Sequence, residues 1–142
     1  MTINAWRYAD QEHTDPEGSV YGDCWRVCVA NLLQLPTRKV PHFVHNHGEH
    51  WYHATKEWLL AEHQVHLLHR PPRFPITPTG RSERIILCGK SPRGDWGHAV
   101  LADHHGHVIH DPHPSRAGLE TVVTAYLIAT VDDLQPPTEE TA

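Results

Sequence analysis

From residue 24 onward, apolar side chains recur in two successive rhythms. Trp25, Cys28, Val29, Leu32 and Leu35 fall at helical spacing and predict a largely buried helix, with Asp23 placed to cap its start and Pro36 to close it. Thr37–Phe43 has room for one helical turn, and His42–His50 reads as a loop. A second helix, from about His53 to His63, turns Trp58, Leu59 and Ala61 inward and Lys56 and Glu57 outward. Past residue 64 the rhythm shortens. Val65–Leu68, Arg84–Cys88, His98–Asp103, His107–His110 and Thr121–Val131 read as strands, the last one bulged. Pro71, Pro72, Pro75 and Pro78 make 70–80 an irregular connection, and Ser91–Trp96 is a loop. Helices first and antiparallel sheet afterwards predict an α+β fold. It forms a single compact domain over residues 1–131, and the polar tail 132–142 is expected to be disordered.

Composition narrows the function. A chain of 142 residues has no room for a second full core. A formal charge of −5, with fifteen histidines counted as neutral, leaves no basic field for a polyanion, so no nucleic-acid partner is expected. The longest mostly apolar run, Val122–Val131, is far too short to span a membrane, and the polar N-terminus does not read as a signal peptide. A cytoplasmic monomer with no cofactor is expected. Three cysteines, Cys24, Cys28 and Cys88, cannot all pair, so at least one free thiol is available for chemistry.

Cys24 opens the first helix, where the positive end of the helix dipole favours thiolate over thiol, and Gly22 permits a tight turn beside it. The plainer alternative is that Cys24 and Cys28 are both small buried hydrophobes. A nucleophilic thiol needs a base and the base needs an orienter. A hairpin turning at His104-His105 sets His98 opposite Asp111. A turn one residue later sets them one diagonal apart, still on one sheet face and within reach of each other. A single bulge would break that parity. Pro112 then ends the ladder beside the carboxylate.

Gly22-Asp23-Cys24-Trp25 resembles the G-x-C-W element around the nucleophile of papain-like cysteine peptidases. Gly97-His98-Ala99-Val100 resembles their base strand. Val108-Ile109-His110-Asp111-Pro112 resembles the strand that supplies the third member in the bacteriocin-processing, double-glycine branch. The resemblance implies a papain-like fold, with Cys24 as nucleophile, His98 as base and Asp111 as its orienter. Such a protein is a thiol hydrolase or acyltransferase acting on a peptide, protein or small acyl substrate. One departure is plain: where that family places a glutamine six residues before the cysteine to stabilise the oxyanion, this chain has Gly18. Either Gln11 reaches in from a differently shaped loop or another donor replaces it. The backbone N–H of Cys24 is available in either case.

Trp96, close before His98, and Trp25, next to Cys24, are candidates to line a cleft. Arg93 and Arg116, in the two adjoining loops, are candidates to meet a carboxylate or phosphate on a substrate. Two alternatives stay open. A binding protein that keeps the fold without catalysis is one. The other is a zinc hydrolase built on His98, His110, Asp111 and His113, although no metal-binding helix motif is present.

Overall fold

The computed structural model describes residues 6–15, 22–77 and 84–130. Position 18 and the tail 132–142 lie outside the described residues. Helices α1 (Cys24–Leu33), α2 (Phe43–His47) and α3 (Trp51–His63) precede strands β1 (Val65–Arg70), β2 (Ile85–Lys90), β3 (Gly97–Ala102), β4 (Val108–His110) and β5 (Thr121–Thr130). The strands form one antiparallel sheet in the order β1-β5-β2-β3-β4. The architecture is α+β, with N-terminal helices packed against a C-terminal five-stranded sheet.

The sheet is buried on both faces. On one, Cys28, Val29 and Leu32 of α1 and Leu59 of α3 pack on Leu67, Ile86, Ala99, Leu101 and Ile128. On the other, Leu87, Val100, Ala102, Ala125 and Leu127 are covered by Ile76 and Leu119 from connecting segments. The alternation along β3 therefore points Ala99 and Leu101 toward α1, and Val100 and Ala102 away from it. Helix α1 lies against β3, so its first residue comes to the start of the strand that carries His98.

Several local expectations need correction. Asp23 precedes α1 but makes no side-chain cap; its buried carboxylate accepts from the backbone N–H of Glu12 and of His13 instead. Leu33 ends the helix because Gln34 turns left-handed (φ 57°) and donates to Ala30 and Asn31 O, before Pro36 is reached. His42–His50 is not a loop: it holds α2 and a 3-10 turn, with His42 Nδ1 accepting from His45 N. In α3, which begins at Trp51, Ala61 is exposed and Thr55 is buried in its place. The bulge expected in the last strand is present opposite Cys88/Gly89, and Gly89 is required there. A Cβ at that position would lie 1.8 Å from the Thr121 carbonyl oxygen.

The extended segment 6–15 runs beside α1. Asn31 donates to Ala9 O and accepts from Ala9 N, and Gln34 makes the same pair of bonds with Arg7. Two amide side chains thus stand in for a missing strand neighbour. Gln11 N then donates to Pro112 O at 2.9 Å, which ties the segment to the end of the β3–β4 hairpin.

Candidate active site

The hairpin sets the geometry by a route the sequence did not disclose. Gly106 N donates to Asp103 O, Asp103 N donates to His107 O, and Gly106 sits at φ +89°, so the connection is His104-His105-Gly106. A three-residue connection pairs Ala102 with Val108, a phase that would turn Asp111 away from His98. One residue further along, the register shifts and Leu101 pairs with His110, with Ile109 as the extra residue. The bulge restores the parity instead of breaking it, and Asp111 falls on the His98 face.

His98 Nε2 lies 2.7 Å from Asp111 Oδ1, and both residues are buried. Asp111 Oδ1 also accepts from His113 N at 2.9 Å, and Oδ2 accepts from Gly118 N at 2.6 Å. Although burial opposes ionisation, these donors hold the carboxyl down at about 2, so it is a carboxylate at neutral pH. A carboxylate only accepts hydrogen bonds. In neutral His98 the proton therefore resides on Nε2, and the lone pair falls on Nδ1.

Cys24 and His98 line the same cavity of about 410 Å³, together with Gln11, Trp25, Trp51, Cys88, Arg93, Trp96, Ala99 and His113. The backbone of Ala99, the residue after His98, and that of Trp25 favour the Cys24 thiolate. Burial outweighs that effect and pushes the Cys24 thiol up to about 11. Burial of the sulfur thus opposes the thiolate preference expected from the helix terminus. Cys28 is fully buried in the core and its thiol is pushed up by burial. Gly22 is not sterically demanded, since a Cβ there would meet its nearest neighbours at 3.6 and 3.8 Å, ordinary contact distances.

Of the other expected site residues, Gln11 reaches the cavity. Its Nε2 donates to His13 O, while Oε1 is buried with no hydrogen-bond partner among the described residues. The Trp25 ring forms part of the wall but is 4% exposed, held edge-on to Trp51 and Tyr126, with its N–H donating to Thr55 Oγ1. Trp96 is 38% exposed and its ring lies across Gly94, where a Cβ would be 2.0 Å from it. Arg93 lines the cavity and donates to Ser115 Oγ. Arg116 does not line it. That guanidinium grips both oxygens of Asp10 and donates to Asp111 O at 2.6 Å, bracing the loop that follows the carboxylate.

Trp51 and His113, the latter expected only as a metal ligand, also line the cavity, and Cys88 is a lining residue that the sequence reading did not single out. Cys88 pairs with Ala99 across β2 and β3, and His113 shares the parity of Asp111, so correct registers would have found both. The metal grouping does not assemble. His110 Nε2 turns to Ala9 O and Asp10 Oδ1 and its ring stacks on Tyr8, and no group of three or more candidate metal ligands occurs among the described residues. Nor is any helix among those residues long and apolar enough to cross a membrane. No protein-family model, no curated protein and no solved structure matches the chain.

Proposed function

We propose that this protein is a thiol hydrolase or acyltransferase of papain-like design, acting on an amide, isopeptide or thioester. The observation that carries the reading is a buried imidazole–carboxylate pair whose imidazole shares a cavity with a cysteine at a helix start. A thiol pushed up to about 11 does not ionise unaided at neutral pH, so the reaction needs the base.

In the proposed cycle Cys24 gives its proton to His98 Nδ1 as sulfur bonds to the carbonyl carbon. The oxyanion meets the Cys24 backbone N–H, one of the four at the helix start without an intrahelical acceptor, and the remaining N–H of Gln11 Nε2. Collapse breaks the bond to the leaving group, which takes the proton from His98. Water or another acceptor then attacks the thioester and gives its proton to His98. The carbon–sulfur bond breaks, and the thiol recovers a proton from the imidazolium. Asp111 holds the tautomer throughout.

The test is incubation with small acyl thioesters and peptide aldehydes, followed by intact mass. One covalent adduct is expected on Cys24, absent in C24A. A second reading, a binding protein on the same scaffold, draws on the raised Cys24 thiol. Failure of every electrophile with the fold intact favours that reading.

A further inference from the structure

Arg93 and Arg116 look equivalent in the sequence, but their surroundings divide them. Arg116 is spent on Asp10 and on the backbone of Asp111. Arg93 has no carboxylate partner among the described residues; its NH1 donates to Ser115 Oγ at 3.0 Å and the side chain borders the cavity. Ser115 N in turn donates to His113 Nδ1 at 3.0 Å. That bond fixes the tautomer: with Nδ1 accepting, neutral His113 carries its proton on Nε2 and is a donor. A half-buried cation and a neutral N–H donor, held together by Ser115, thus stand at one corner of a largely apolar cavity that also contains Cys24.

We propose that Arg93 and His113 form an anion subsite that takes a carboxylate of the substrate, so that the acyl donor is a small amide, ester or thioester bearing a free carboxylate. The role of that carboxylate in turnover rests on the acyl chemistry proposed above, whereas its binding does not. One guanidinium and one neutral donor match a singly charged, planar group, which a guanidinium fork binds in two parallel hydrogen bonds. The indoles of Trp25, Trp51 and Trp96 supply apolar surface for the remainder of such a molecule.

The electrostatics of His113 agree. Burial, then the positive charge of Arg93, holds its imidazole below the usual histidine range, with the carboxylate of Asp111 opposing them. An anion seated beside Arg93 adds to the Asp111 effect and raises the His113 titration.

Calorimetry on full-length C24A protein, with N-acetylphenylalanine, its neutral amide and inorganic phosphate as probes, tests the subsite. The carboxylate is expected to bind roughly tenfold or more tightly than the amide, as a charge-assisted contact at a half-buried site does. R93Q should abolish the difference and R93K restore part of it. In wild-type protein, carboxylate binding should move the His113 NMR titration upward. Equal binding of acid and amide, a preference that survives R93Q, or no binding by any probe overturns the proposal. Phosphate binding more tightly than the carboxylate overturns its assignment to a carboxylate. Should carboxylate binding follow these expectations while no acyl adduct forms on Cys24, the subsite stands and the catalytic reading falls.

Discussion

His98 Nε2 and Asp111 Oδ1 are 2.7 Å apart with each side chain 3% exposed, so the imidazole is oriented by a carboxylate that water scarcely reaches. Replacing Asp111 with Asn puts an amide NH2 against the Gly118 N–H or the His98 side and removes the orienting charge. Turnover of D111N on an acyl substrate should fall by about three to four orders of magnitude while the protein still folds. Steady-state kinetics beside a circular-dichroism spectrum checks both halves.

Two groups of the site contribute to acid sensitivity, beside the carboxyls of Asp10 and Asp103, which are also held below their ordinary value. Asp111 has its folded value depressed from 3.8 to about 2, so its stabilising contribution is full above pH 4 and is lost as pH falls through 2. His113 is also depressed from its ordinary 6.5, so its contribution is present above 6.5 and fades as pH falls below that. Urea midpoints should decline in two steps on acidification. H113Q should weaken the first, and D111N the second.

The helix cysteines divide between chemistry and packing. C24A should keep the fold and lose all acyl transfer. C28A removes a sulfur from the fully buried core and should lower stability by roughly 1 kcal/mol, with most activity kept. Urea midpoints and turnover separate the two variants, and full activity in C24A with loss in C28A would reverse the assignment.

Two glycines beside the site should behave oppositely. G89A drives a methyl group into the Thr121 carbonyl and should cost about 1–3 kcal/mol. G22A meets only ordinary contacts and should change stability by less than about 0.5 kcal/mol. Thermal or urea unfolding reads both.

How far the chain discloses this arrangement depends on the range of each interaction. The stripe Trp25, Cys28, Val29 and Leu32 was legible because burial along one helix repeats with the helix period. The strands were legible from their apolar runs. What stayed hidden is set by partners distant in sequence. Asp23 looked like a cap but serves the backbone of Glu12 and His13. Arg116 looked like a substrate residue until Asp10, far away in the chain, claimed it. The parity of the β3–β4 pair came from two compensating irregularities, a three-residue turn and a bulge, and no propensity reveals their sum. For the Cys24 thiol, the helix terminus is visible in sequence and the burial opposing it is not.

The central claim is that Cys24 reacts because His98 takes its proton. Brief exposure to low iodoacetamide at pH 7, followed by peptide mapping, measures this directly in wild-type and H98A protein. Cys24 should be alkylated well ahead of Cys28 and Cys88. In H98A its labelling should slow by roughly tenfold or more and recover only as pH approaches the thiol's own value of about 11. Slow, equal labelling of all three cysteines, unchanged by H98A, would contradict it.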